Sequence, residues 1–199
     1  MSEISGLHAG DRVRLITELY KVYSEFHTEP FDKFYFWGDM LLTDFDTIDK
    51  YLIDAQMLFR NISEIKEIEA DISYLTPAQL RILSFWSSFG EQADLSEEKR
   101  RFLAIWKTLG PIYRRFRERL SSLGIAYNGM VQRAAADRIR EGGYAFPEPR
   151  RYVVAGFNAL SECEKVLFRF LSTAAETDFY WDYDSYYKDR PEQEAGMFV

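Results

Sequence analysis

A run of apolar and aromatic residues at helical spacing dominates the first third of the sequence. Its members lie three or four positions apart: Phe34, Trp37, Leu41, Phe45, Ile48, Leu52, Ala55 and Phe59. Because an α-helix turns once every 3.6 residues, this spacing places them along one face, which must be buried. The stripe therefore predicts either one long helix or two helices that meet near Thr43 to Asp46.

Five aspartates alternate with this apolar stripe. They are Asp39, Asp44, Asp46, Asp49 and Asp54. At about 100° per residue around a helix, their side chains fan out instead of converging. Because a divalent cation needs several oxygen ligands at one point, this spacing favours a solvated acidic surface over a metal site.

Two further helices are predicted from their start and stop signals. Asp11 can cap a helix over residues 12–26. Its apolar positions are Val13, Ile16, Tyr20 and Tyr23. An alanine-rich helix is predicted over residues 127–140, ahead of Gly142-Gly143.

Prolines mark two other points in the helical part of the chain. Thr76-Pro77 predicts a helix start, because a hydroxyl can cap the helix and proline is tolerated at the first helical position. Gly110-Pro111 is expected to end or kink a helix, since proline lacks the N–H group and its ring clashes with the preceding turn. The helix is expected to resume after it.

The charge of the chain is unevenly distributed. Residues 99–151 hold 13 basic and 4 acidic side chains, a net charge of +9 in a chain whose total is -7, which leaves -16 on the other residues. Such asymmetry indicates a surface that faces an anion, although solvated helix faces would explain it equally well. Within this stretch an inner helix face is marked by Ile112, Tyr113, Phe116 and Leu120. Four arginines lie on the other faces: Arg114, Arg115, Arg117 and Arg119.

Composition limits the class of protein. The 199 residues are 47% hydrophobic, so the chain can bury at least one core. Cys163 is the one cysteine, which excludes an internal disulfide and is typical of a reducing compartment. The chain starts without an apolar stretch of signal-peptide length and holds no apolar run of about 18 residues. We therefore expect a cytoplasmic protein with no membrane partner.

The segment EGGYAFPEP, residues 141–149, is the best internal boundary, because two glycines and two prolines propagate neither helix nor strand. Beyond it, two short apolar runs flank a stretch of helical periodicity, which predicts strand, helix and strand. The predicted fold is mainly α, with a helical subdomain at 1–142, a linker at 143–150, a β-α-β piece of a parallel sheet at 151–187 and a disordered tail at 188–199. Two parallel strands cannot cover both of their faces, so the sequence indicates a fragment of a larger α/β core.

Motifs of nucleotide and metal chemistry are missing from the sequence. It contains no G-x-x-x-x-G-K-[ST], no G-x-G-x-x-G and no C-x-x-C, and no cofactor is predicted. His8 and His27 lie in no pattern typical of a base or a ligand, and His8 is expected in a frayed terminus. Asp182 and Asp184 follow the second apolar run and are weak candidates for a metal site. A turn after a strand uses aspartate as readily.

The stretch that contains the predicted β-α-β segment resembles a degraded helicase core. In ATP-hydrolysing superfamily I helicases of the UvrD and RecB kind, one strand ends in Asp-Glu, which hold magnesium and polarise the attacking water. A helix and a second strand ending in Gly-Asp-x-x-Gln follow. Here Ala155 and Gly156 stand at the Asp-Glu (Walker B) position and Ser185 at the glutamine, while Asp182 is kept.

This pattern is similar to the inactivated helicase region of AddB-type subunits, in which G-F-x-x-[LF]-[ST]-x-x-E follows the strand. The matching residues are Gly156, Phe157, Leu160, Ser161 and Glu164. The upstream text FYFWGDMLLTDFDTIDKYLIDA and FLAIWKTLGPIYRRFRERLSSLGIAYNGMVQR resembles the helical insertion subdomain of the same proteins. The likeness covers most of the chain.

The resemblance implies a non-catalytic, DNA-binding or scaffolding segment of a bacterial helicase-nuclease subunit in double-strand-break repair. The parent protein would carry a PD-(D/E)XK nuclease elsewhere, with DNA and an AddA-like helicase subunit as partners. The four arginines are then the candidates for phosphate contact, and Tyr186 and Tyr187 are weak candidates for base stacking. Two alternatives stay open: an interaction module that docks a partner subunit through its basic helical face, and metal-dependent phosphoester hydrolysis at Asp182 and Asp184.

Overall fold

The computed structural model describes residues 1–68, 95–157 and 159–180, and this part of the chain is mainly helical with two small parallel sheets. The elements in chain order are α1 (Ser2–Ser5), β1 (His8–Ala9), α2 (Arg12–Tyr23), α3 (Phe31–Lys50), α4 (Ala55–Ile68), α5 (Leu95–Ser122), β2 (Ile125–Ala126), α6 (Asn128–Arg140), β3 (Arg151–Ala155), α7 (Glu162–Ala174) and β4 (Glu176–Tyr180). The predicted fold class is confirmed. The helix start predicted at Thr76-Pro77 lies outside the described residues.

Helix α2 begins where the sequence predicts. The Asp11 carboxylate accepts hydrogen bonds from the backbone N–H groups of Val13 and Arg14, at 3.0 and 3.2 Å. The predicted inner face is wrong at Val13, which is 56% exposed, because the buried side of the helix begins with Leu15 and Ile16. Val13 lies in the first turn of α2, outside that buried side.

The long apolar stripe forms two helices, α3 and α4, which is one of the two predicted arrangements. Their meeting point near Thr43 to Asp46 is wrong, since α3 runs unbroken to Lys50. The chain turns at residues 51–54 instead, where Leu52 has a φ of 54°. The Asp54 carboxylate then accepts a hydrogen bond from the backbone N–H of Met57 at 2.9 Å, which caps the first turn of α4.

Helix α5 continues through Gly110-Pro111 without ending. Pro111 lacks the N–H group that would bond the carbonyl of Lys107, so one backbone hydrogen bond is lost there. The residues on either side, Leu109 and Ile112, are buried in the core. Their burial holds the two halves of α5 against the same neighbours and offsets the local loss.

Two parallel strand pairs complete the fold. The first joins β1 to β2, with His8 beside Ile125, so His8 is paired and the frayed terminus expected for it is wrong. The second joins β3 to β4 in register from Arg151 beside Glu176 to Ala155 beside Tyr180. Helix α7 connects these strands, which confirms the predicted strand, helix and strand.

The buried residues form two hydrophobic clusters. The larger lies among α2, α3, α4, α5, β2 and α6, and the smaller, around Val154, Phe168 and Leu171, lies where α7 covers one face of the β3-β4 sheet. Helix α7 also packs on α6 and contacts α3, so the β-α-β piece lies directly against the helical part. The predicted domain boundaries stay predictions.

The segment predicted as a linker has no regular secondary structure but is tied to α1. The Tyr144 hydroxyl lies 3.1 Å from the Glu3 carboxylate, and the Arg150 guanidinium lies 2.8 Å from the same group. The ring of Phe146 packs on that of Phe170, with centroids 5.4 Å apart. Within the described ranges, no helix has the length and apolar character to cross a membrane.

Candidate anion-binding cleft

A cleft of about 960 Å³ lies between α4 and α5. Helix α4 supplies one wall with Ala55, Gln56, Phe59 and Arg60. Helix α5 supplies the other with Trp106, Lys107, Gly110, Pro111, Tyr113, Arg114, Arg117, Glu118 and Ser121. The α5 residues recur at intervals of three and four, so one face of that helix forms the wall.

The cleft is strongly basic and partly aromatic. Four cationic side chains, Arg60, Lys107, Arg114 and Arg117, line it against the single carboxylate of Glu118, a net charge of +3. Three aromatic side chains, Phe59, Trp106 and Tyr113, share its walls. Arg114 and Arg117 are candidates from the sequence, whereas Arg60 is not. Only the packing of α4 on α5 brings it to them.

The other two candidate arginines, Arg115 and Arg119, form ion pairs outside the cleft. Arg115 forms an ion pair with Glu25, and its guanidinium lies 5.2 Å from the ring centre of Phe26. Arg119 lies 2.5 Å from the Glu18 carboxylate, which also pairs with Lys21 at 2.6 Å. Arg115 and Arg119 thus contact α2 and the residues just after it, and they lie outside the cleft. Of the four arginines, Arg114 alone forms no ion pair with a described residue.

A buried carboxylate stands behind the cleft. Asp49, with no exposed surface, accepts hydrogen bonds from the hydroxyls of Tyr113 and Tyr127, both at 2.5 Å. Its Oδ1 atom also accepts from the Nη1 groups of Arg117, at 3.2 Å, and Arg133, at 2.9 Å. These five residues are called the Asp49 cluster.

The solvated surface expected for the five aspartates is wrong at Asp49. Asp49 lies four residues after Phe45 and eight after Leu41, both buried, so it falls on the apolar face of α3. That spacing is the signal which could have identified it. Asp39, by contrast, is an exposed partner of Arg12. Desolvating a buried ion costs several kcal/mol, which the attraction of its partners roughly cancels, so the cluster is not by itself a source of added stability.

The Asp49 cluster keeps its two phenols and Arg117 protonated. Burial, together with the Asp49 charge and hydrogen bond, raises the pKa of Tyr113 to about 12. The same causes raise the pKa of Tyr127. Burial lowers the pKa of Arg117, but the charge of Asp49, the neighbouring phenols and the hydrogen bond to Tyr113 together more than offset it, and the pKa is raised. The phenols therefore remain donors and Arg117 remains a cation.

The two residues that the sequence resemblance compares with the Walker B acids lie at the carboxyl end of β3. Ala155 is the last residue of the strand and Gly156 follows with a φ of 79°. Neither carries a side chain that could bind a metal or polarise water. The neighbour of Ala155 on β4 is Tyr180, which is 61% exposed.

The remaining candidates lie outside the described residues: Asp182, Asp184, Ser185, Tyr186 and Tyr187. Within residues 1–68, 95–157 and 159–180, no group of three or more His, Cys, Asp or Glu side chains could hold a metal ion. No family model, curated protein or solved structure matches the chain. Function is therefore inferred from the geometry of the cleft.

Proposed function

We propose that this chain is a non-catalytic, helicase-like segment of an AddB-type helicase-nuclease subunit. Within that subunit it binds DNA or serves as a scaffold. The observation that carries the proposal is the basic, aromatic-lined cleft between α4 and α5. DNA backbones are polyanions, and proteins bind them through arginine and lysine side chains that displace condensed counterions. Three positive charges in excess around one concave site meet that requirement.

The mixed basic and aromatic lining of the cleft favours a single strand. A duplex carries its bases inside, whereas a single strand can present bases to aromatic side chains and phosphates to cations at once. Trp106 stands next in sequence to Lys107, so both kinds of group occur side by side along the same wall. This arrangement supports binding that tolerates different base sequences.

The helicase-like, non-catalytic part of the proposal draws support from β3 and β4. In a parallel α/β sheet, ligands and catalytic acids lie at the carboxyl ends of the strands. At that end of β3 stand Ala155 and Gly156, which lack the carboxylates that bind magnesium in ATP-hydrolysing superfamily I helicases. The parent protein and its AddA-like partner remain part of the same proposal.

Salt-dependent binding of labelled single-stranded and tailed duplex DNA tests the proposal. We expect the affinity to fall steeply with salt, and the slope of log K against log salt to shrink by about 0.7 in the Arg114→Ala variant. Arg115→Ala is the matched control, because it removes the same charge from the same helix but from the face that pairs with Glu25.

Two outcomes would count against DNA binding through the cleft. One is the absence of salt-sensitive binding by the intact chain. The other is an equal loss of affinity in Arg114→Ala and Arg115→Ala, which would indicate a diffuse effect of net charge. DNA-stimulated ATP hydrolysis would contradict the non-catalytic assignment.

A protein-protein interaction module is the second candidate function, and exposed aromatic residues on α3 favour it. Phe36 is 71% exposed, and Phe31 and Tyr35 lie beside it at 37% and 40%. Large aromatic side chains are enriched at protein interfaces. A partner that is retained after nuclease treatment, and lost in Phe36→Ser but not in Arg114→Ala, would favour this function over DNA binding.

A further inference from the structure

Arg117 and Tyr113 belong both to the Asp49 cluster and to the cleft, and Arg117 is the cation of the two. We infer that Arg117 binds one phosphate group in the cleft through its Nε and Nη2 donors, and that Asp49 and Tyr113 are the positioning residues that hold it. The inference deepens the proposed function and rests on it, in that the phosphate is taken to be a DNA phosphodiester. Three observations carry it.

The first observation is the count of donors on Arg117. A guanidinium has five N–H donors. The two on Nη1 are used by the Asp49 carboxylate, at 3.2 Å, and by the Tyr113 hydroxyl, at 2.7 Å. The Nε donor and the two Nη2 donors have no hydrogen-bond partner among the described residues, and the side chain is 28% exposed. One Nε and one Nη2 donor form the fork that matches two oxygens of a phosphate.

The second observation is the charge of the Asp49 cluster. Its single carboxylate serves two guanidiniums, those of Arg117 and Arg133, so the cluster retains a net charge of +1. Arg133 uses its Nη2 group on the Ile53 carbonyl oxygen at 2.8 Å and does not line the cleft. The uncompensated charge is therefore available to an anion at Arg117. The ion pair of Arg115 with Glu25 joins one cation to one anion and has no excess positive charge.

The third observation is the restraint on Arg117. The Tyr113 hydroxyl donates to Asp49 and accepts from Arg117, so its direction is set by both partners. The Tyr113 ring also lies under the guanidinium, 5.4 Å from it. A side chain held before the ligand arrives loses less rotational freedom on binding, which improves affinity. This restraint distinguishes Arg117 from Arg114.

Tyr127 provides a matched control for Tyr113. Both phenols donate to Asp49 at 2.5 Å and both are buried. Tyr127 has no hydrogen bond to Arg117 and stands outside the cleft. Tyr113→Phe and Tyr127→Phe therefore each remove one hydrogen bond to Asp49, whereas Tyr113→Phe alone also removes a hydrogen bond that Arg117 donates and leaves Asp49 as the only described hydrogen-bond partner of Arg117.

The test uses the intact chain with two probes, inorganic phosphate and a labelled oligothymidylate. The Arg117 Nε–H signal, assigned by its loss in Arg117→Lys, is followed by ¹H–¹⁵N NMR during the phosphate titration. We expect phosphate to shift it. We expect Tyr113→Phe to weaken binding of both probes by about two- to tenfold, the range of one hydrogen bond. Tyr127→Phe should bind both probes like the unchanged chain at a similar loss of stability, and Arg117→Lys, which keeps the charge but not the fork, should lose more than Tyr113→Phe.

The outcomes separate this inference from the proposed function. An Arg117 signal that does not move at saturating phosphate, or equal weakening in Tyr113→Phe and Tyr127→Phe, overturns the inference even when the chain binds DNA. A phosphate-dependent shift that responds to Tyr113→Phe, with no binding of oligothymidylate or duplex, upholds Arg117 as a phosphate site and rejects DNA as its ligand.

Discussion

Gly129, in the first turn of α6, is in direct contact with the backbone of Asp46 on α3. Its N–H donates a hydrogen bond to the Asp46 carboxylate at 2.5 Å, and a β-carbon at position 129 would overlap the Asp46 carbonyl oxygen. The absence of a side chain thus sets how closely α6 approaches α3. The same approach brings Tyr127 and Arg133 to Asp49.

Gly129→Ala is therefore expected to destabilise the fold by about 1–3 kcal/mol, because the helices must separate to admit the methyl group. The free energy of unfolding is measured in urea. Gly143→Ala is the control, since a β-carbon there would meet only ordinary contacts, the nearest at 3.4 Å, and a change within about 0.5 kcal/mol is expected. Equal effects of the two substitutions would show that the close approach is not the cause.

Removing the Asp49 carboxylate is expected to be costly. Asp49→Ala leaves two guanidiniums and two phenols without their shared acceptor, and breaking a buried ion pair costs about 3–5 kcal/mol. Asp39→Ala also removes an aspartate from α3 that pairs with an arginine, but at an exposed site, where about 0–1 kcal/mol is expected. Comparable losses in urea unfolding would contradict the burial of Asp49.

Stability is expected to fall as the pH rises from 10 to 12. The pKa of Tyr113 is about 12 in the folded chain, because of burial and the Asp49 charge, against an ordinary value of 10.0. The unfolded phenol loses its proton first, so this contribution is complete below pH 10 and is lost as the pH approaches 12. Urea unfolding from pH 9 to 12 measures the slope. A slope of the same size in Tyr113→Phe would exclude Tyr113 as a source.

Cys163 is expected to resist thiol reagents in the folded chain. It has no exposed surface, its thiol lies 3.4 Å from the Asp49 carbonyl oxygen, and burial raises its pKa to about 12. Thiolate is the reactive form, so both access and ionisation are suppressed. An aromatic disulfide reagent should react with one thiol per chain in denaturant and, without denaturant, only as fast as the protein opens. Immediate reaction in native buffer would contradict the packing of α7 against α3.

The sequence determined the local elements, because their signals act within a few residues. Asp11 caps α2 through two backbone N–H groups that follow it directly. Ser161 and Glu164 form a capping box at the start of α7, within the segment predicted as strand, helix and strand. The apolar spacing predicted either one long helix or two helices, and α3 and α4 are the second of these arrangements. The turn at Leu52, with its left-handed backbone, was missed because no glycine or proline marks residues 51–54.

Tertiary structure alone decided which charges remain available to a ligand. Helical spacing separates Arg114 and Arg117 from Arg115 and Arg119. It cannot tell which face meets Glu18 of α2 and Glu25 just after it, because those contacts span about a hundred positions. Asp49 shows the same limit of sequence-based prediction. Its carboxylate is tolerated in the core only because partners from α5 and α6 converge on it. The free energy of a buried charge depends on all the groups around it, and these groups come together only once the helices have packed.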